Sequence, residues 1–116
     1  MEELKYYDCT VKLYNDKFYS SPIKLSNLTF QLEFRYNSFS EAYHLTIKDS
    51  VGNTIASNKM VSPESSFSYR LSDGTAVELS LMFFKYLPSV IVPMERWSEN
   101  VGCVARLIKW EKTSPE

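Results

Sequence analysis

The sequence predicts a mainly β protein: a single antiparallel β-barrel or β-sandwich of about seven or eight strands, with room for one short helix. Three observations predict it. Apolar and polar residues alternate with period two in segment after segment. Asn, Asp, Ser and Gly cluster between those segments, where turns need them. Aromatic residues, which strands favour, make up 15% of the chain, with 8 Tyr and 7 Phe. At 116 residues the chain has the length of one domain. Residues 1–116 are therefore expected to form one β domain, with a C-terminal tail frayed from about residue 112.

The first alternating run sets Tyr7, Cys9, Val11 and Leu13 against Asp8, Thr10 and Lys12, and the turn former Asn15-Asp16 follows it. The clearest run is Leu28, Phe30, Leu32, Phe34 and Tyr36 against Thr29, Gln31, Glu33 and Arg35. A helix would scatter those apolar residues around its circumference, whereas a strand puts them on one face. After a turn from Asn37-Ser38 to Glu41, Tyr43, Leu45 and Ile47 alternate with His44, Thr46 and Lys48. Val51-Gly52-Asn53 fits a hairpin, and residues 24–58 read as a meander of three strands. Ser62-Pro63-Glu64-Ser65 carries a helix-start signature, a Ser cap with Pro and an early Glu. Phe67 and Leu71 would share one face of a short helix over residues 63–71, and the competing assignment is an edge strand through Phe67 and Tyr69. Ser72-Asp73-Gly74 is a strong hairpin turn, and Val77, Leu79, Leu81 and Phe83 alternate with Glu78, Ser80 and Met82 beyond it.

Two later segments stand apart. Pro88 and Pro93 bracket a short apolar stretch, which proline restricts to an edge or a loop. An apolar edge invites a partner, so Leu87, Val90, Ile91, Val92, Met94 and Trp97 are the candidate protein contact. The run from Cys103 to Trp110 is apolar on both faces apart from Arg106 and Lys109, as in a central strand or one in an assembly interface. Cys9 and Cys103 lie near opposite ends of the chain and are expected as free buried thiols. If the two terminal strands are neighbours, a disulfide is also geometrically open.

Composition narrows the function classes. A net charge of −1 with no cluster of Lys and Arg argues against nucleic acid as a partner. No apolar run approaches a membrane span, and no secretory leader is expected. The single histidine, His44, stands on the polar face of its strand, so a nucleophile has no obvious base. One His and two scattered Cys make no zinc set, and Gly52, Gly74 and Gly102 are too isolated for a phosphate loop. No catalytic residue, cofactor or metal is therefore expected. Tyr6, Tyr14, Phe39, Phe84 and Trp97 are candidate exposed rings that could stack on a sugar or a base.

A larger pattern runs through residues 18–61. It comprises Phe18-Tyr19, Ile23-Lys24-Leu25, Phe30-Gln31-Leu32-Glu33-Phe34-Arg35-Tyr36-Asn37 and Tyr43-His44-Leu45-Thr46-Ile47. Asp49-Ser50-Val51-Gly52-Asn53, Ile55 and Met60-Val61 complete it. This block resembles the small baseplate plug proteins of contractile-tailed bacteriophages, with Arg35-Tyr36-Asn37 and the turn from Asp49 to Asn53 carrying most of the likeness. The resemblance covers under half of the chain. It implies a non-enzymatic structural part of a phage tail baseplate, located in the virion after synthesis in the host cytoplasm. Its partners would be other baseplate, hub or tail-tube proteins, and a homo-oligomer is compatible with that role. The alternatives are a β-sandwich binding module for carbohydrate or peptide and a phage-encoded inhibitor of a host protein.

Overall fold

A computed structural model of the chain describes residues 2–70, 74–84 and 94–112. Eight strands follow one another: β1 (Glu2–Val11), β2 (Phe18–Leu25), β3 (Leu28–Asn37), β4 (Ala42–Asp49), β5 (Thr54–Met60), β6 (Glu64–Arg70), β7 (Ala76–Phe84) and β8 (Gly102–Lys112). Between β7 and β8 lie a 3-10 turn, Met94–Arg96, and the one-turn helix α1 (Trp97–Asn100).

The strands form two four-stranded sheets, ordered β1-β8-β7-β6 and β2-β3-β4-β5, with every pair antiparallel. Followed around the molecule, this is an up-and-down ring in which chain neighbours are spatial neighbours. The ring is interrupted where the chain crosses between sheets, from β1 to β2 and from β5 to β6. Those two seams make the fold a sandwich instead of a closed barrel.

The core is the sum of the inward alternations. Phe30, Leu32 and Phe34 of β3 and Tyr43, Leu45 and Ile47 of β4 are buried. Facing them from the other sheet, Leu79, Leu81 and Phe83 of β7 and Cys103, Ala105 and Leu107 of β8 are buried too. Burying each large apolar side chain contributes roughly 1.5–3 kcal/mol, which is why the alternating register is so tightly specified. The twofold-apolar run of β8 belongs to a central strand: it lies between β1 and β7, with Val104, Arg106 and Ile108 half-exposed on its outer face. The expected three-strand meander gains a fourth strand at its start, β2, whose Pro22 sits on the sheet edge.

Residues 64–70 are not helical, as the Ser-Pro-Glu-Ser signature suggested, but form strand β6. Ser65, Phe67 and Tyr69 turn inward, while Glu64, Ser66, Ser68 and Arg70 are exposed. Pairing with β7 runs unbroken from Glu64 opposite Met82 to Arg70 opposite Ala76. The Ser62 hydroxyl bonds to Ser65 Oγ (2.9 Å) and donates to the Glu64 carbonyl (3.2 Å) instead of capping a helix. Ser, Phe and Tyr are indifferent helix formers, so tertiary pairing decides the segment. Leu71, the other apolar residue of the expected helix face, lies outside the described residues, as do residues 88–93 of the expected short strand. At the C-terminus β8 stays paired through Lys112, opposite Glu2.

Candidate functional site

The up-and-down order gives the sandwich two distinct ends. At one end lie the connection 12–17, the turn 38–41, the crossing 61–63 and α1; at the other lie the turns 26–27 and 50–53 and the ends of β6 and β7 that pair at Arg70 and Ala76.

Under α1 the core is aromatic. Tyr19 stacks on Phe34 with ring centroids 5.0 Å apart, and Tyr43 lies 4.6 Å from Trp97. The Trp97 indole N–H donates to the Tyr19 hydroxyl at 2.9 Å. Burial pushes the Tyr19 phenol up to about 12. Trp97 is only 2% exposed, so it is neither the exposed ring nor the surface contact its sequence setting suggested. The reason is geometric: its helix caps the open end of the sandwich, and the indole is the plug beneath it. Met94 is half-buried and packs against the same core. Leu87, Val90, Ile91 and Val92, the rest of the expected contact, lie outside the described residues.

The same end carries most of the exposed apolar surface. Among the described residues, seven large hydrophobics are exposed: Tyr6, Tyr14, Phe18, Phe39, Val51, Met60 and Phe84. All but Tyr6 and Val51 belong to this end, at strand termini or on its connections. Phe39 stands at the tip of the β3–β4 turn and is 99% exposed. Asn37 fixes that tip, its side-chain oxygen accepting the N–H groups of Phe39 (2.8 Å) and Ser40 (3.1 Å). Phe84 lies flat over Gly102, where a Cβ would stand 2.1 Å from its ring. The missing side chain at Gly102 is what seats the ring on the sheet. Arg35 sits over the Phe18 ring at 4.9 Å and Lys12 over Tyr14 at 5.3 Å, so these two rings are partly screened by cations.

A contact that strand alternation hides joins Ser40 and His44 across this turn: Ser40 Oγ lies 3.1 Å from His44 Nε2. His44 is half-buried, not fully solvent-facing as alternation alone implied. Ser40 Oγ also donates to the Asn37 carbonyl at 3.4 Å. Among the described residues the other ring nitrogen, Nδ1, is buried without a hydrogen-bond partner. In a catalytic triad a third group orients the base, and among the described residues none meets Nδ1. The geometry is that of a braced turn.

The cysteines stand on adjacent strands, with Cys9 opposite Ala105 and Val11 opposite Cys103, and both are free thiols. Burial pushes the Cys103 thiol up to about 12, and burial with the neighbouring Asp8 raises that of Cys9. Both are kept away from the thiolate form a nucleophile requires.

At the opposite end the sheets splay into a cleft of about 480 Å³, rimmed by Asn27, Thr29, Ser50, Asn53 and Arg70. Its wall is a network centred on Asp49, which is buried at the end of β4. One carboxylate oxygen accepts the N–H groups of Val51 (3.1 Å) and Asn53 (2.8 Å), and the other accepts the Tyr69 hydroxyl at 2.5 Å. The Tyr69 bond, followed by the two backbone N–H groups, holds Asp49 below its ordinary carboxylate range despite burial. Gly52, with φ +92°, closes this hairpin. The bond from Tyr69 of β6 to Asp49 of β4 ties one sheet to the other. Among the described residues no group of His, Cys, Asp and Glu is arranged to hold a metal ion, and no helix is long and apolar enough to cross a membrane.

Comparisons with protein-family models, curated proteins and solved structures gave no match.

Proposed function

We propose that the chain is a non-enzymatic structural subunit of a phage tail baseplate, docking on hub or tail-tube proteins through the apolar end of its sandwich. The observation that carries this reading is the gathering of Tyr14, Phe18, Phe39, Met60 and Phe84 at one end of the ring. Contiguous exposed apolar surface marks interaction sites, and aromatic residues and Met are the side chains interfaces favour. The strand and turn pattern of residues 18–61 supports the assignment to a baseplate. Phe39 suits the role of an anchor because its turn is braced and its ring is bare.

Quantitative mass spectrometry of purified particles, counting copies of this chain per virion, tests the reading. A small fixed copy number in a simple ratio to the hub proteins is expected. Absence from particles would overturn it and leave an inhibitor of a host protein to be sought by pull-down. The polar-rimmed cleft beside Asp49 favours a second reading, a binding module for carbohydrate or peptide. In that case Asn27→Ala or Arg70→Ala abolishes ligand binding and leaves incorporation into particles untouched.

A further inference from the structure

A sandwich with two seams has four edge strands, β1 and β6 in one sheet and β2 and β5 in the other. Three of them carry devices that block pairing with another chain. Pro22 removes a donor from β2. β5 is broken by register shifts against β4 and by Asn58 at φ 52°. β1 carries exposed charges at Glu3, Lys5 and Asp8 and runs close beside β2.

β6 is less protected: its charges, Glu64 and Arg70, stand only at its two ends. Its seven residues, Glu-Ser-Ser-Phe-Ser-Tyr-Arg, include no Pro, Gly or Lys, and they pair with β7 without a register shift. Among the described residues its far edge is hydrogen-bonded to no strand. The inward side chains Ser65, Phe67 and Tyr69 are half-buried, and β5 touches β6 across the seam without a hydrogen-bonded ladder.

We infer that β6 is a self-association edge, pairing antiparallel with β6 of a second copy about a two-fold axis at Phe67. The sequence is self-complementary in that register. Glu64 falls opposite the second copy's Arg70 at both ends, Ser65 opposite Tyr69, Ser66 opposite Ser68, and Phe67 opposite Phe67. Opposite residues of a strand pair share a face, and Glu64 and Arg70 both lie on the exposed outer one. Among the described residues Glu64 has no ion-pair partner. Among the described residues, the one bond of the five-donor Arg70 guanidinium runs from one nitrogen to the Gly74 carbonyl at 2.7 Å. Within one chain the two residues are six positions apart along a strand, roughly 20 Å, too far to pair with each other. Joining the copies gives a continuous eight-stranded sheet and covers Phe67 and Tyr69. It uses an edge separate from the apolar end, so the dimer is a property of the isolated chain whatever assembly the chain enters.

Sedimentation equilibrium of the full chain tests this, with Glu64→Arg, Arg70→Glu and the double exchange. Each single change sets like charges opposite at both ends and should weaken the dimer about ten-fold. The double exchange should restore it, an outcome that lost folding cannot produce. Amide protection along Glu64–Arg70 should rise with protein concentration. A chain that stays monomeric at roughly 1 mM overturns the inference. So does a dimer that ignores both single changes but is lost in Phe39→Asp, which would place the contact at the apolar end.

Discussion

Replacing Trp97 by Ala separates a core plug from a surface contact. The indole is 2% exposed, lies 4.6 Å from Tyr43 and 6.2 Å from Phe83 between ring centroids, and donates to the Tyr19 hydroxyl. Removing a buried ring of this size costs about 3–5 kcal/mol, because the transfer energy and the residual cavity add. A domain of 116 residues holds roughly 6–17 kcal/mol in total, so the loss is a large share of it. With a urea slope of about 1.5 kcal/mol per M, the midpoint should fall by about 2–3 M. Trp97→Phe keeps a ring but loses the indole N–H, and should cost about 1–2 kcal/mol. Urea unfolding followed by far-ultraviolet circular dichroism is the suitable assay, since Trp97 is itself one of only 2 tryptophans. A midpoint shift of less than about 0.5 M for Trp97→Ala would refute the reasoning and return Trp97 to the surface.

Asp49 makes stability depend on pH in a predictable direction. Its folded value lies below the ordinary 3.8, so the unfolded chain takes up the proton first as acid is added. The stabilisation is complete above the ordinary value and is lost as pH falls through the folded one. Urea midpoints between about pH 5 and pH 2 should fall steeply in the parent, and Asp49→Asn should lower the plateau and flatten that limb. A thiol reagent at mild alkaline pH should leave Cys103 unmodified until the chain unfolds and should label Cys9 only slowly, as peptide mapping would show. Gly102→Ala should cost only about 1 kcal/mol in thermal unfolding, because the ring it displaces, Phe84, is already 49% exposed and can swing outward.

The strands that alternate cleanly were legible in the sequence because burial repeats the pattern residue by residue. β3, β4 and β7 match their predicted runs to within a residue or two. β2 escaped the alternation because the polar Ser21 interrupts its inward set of Tyr19, Ile23 and Leu25, and its Pro22 is tolerated at the sheet edge. The helix signature at Ser62-Pro63-Glu64 failed because capping chemistry is local, whereas a register of seven pairs with β7 is not. The apolar end was only partly legible. Phe39 and Phe84 could be named as candidate exposed rings, but Phe18 and Met60 could not be joined to them before the strand directions were known. Trp97 was misread because a lone aromatic after a proline-rich segment carries no periodic signal. The Ser40–His44 and Tyr69–Asp49 contacts depend on turn geometry and on packing between sheets, neither of which a one-dimensional pattern encodes.

In the proposed role the chain enters a tail assembly through its apolar end. The most direct measurement counts parent and Phe39→Asp chains in particles assembled with both supplied at equal levels. Phe39 is bare, so the substitution should leave the urea midpoint unchanged. Parent chains are expected in fixed copy number and Phe39→Asp chains nearly absent. Equal incorporation of the two, or the absence of both, would contradict the proposed role.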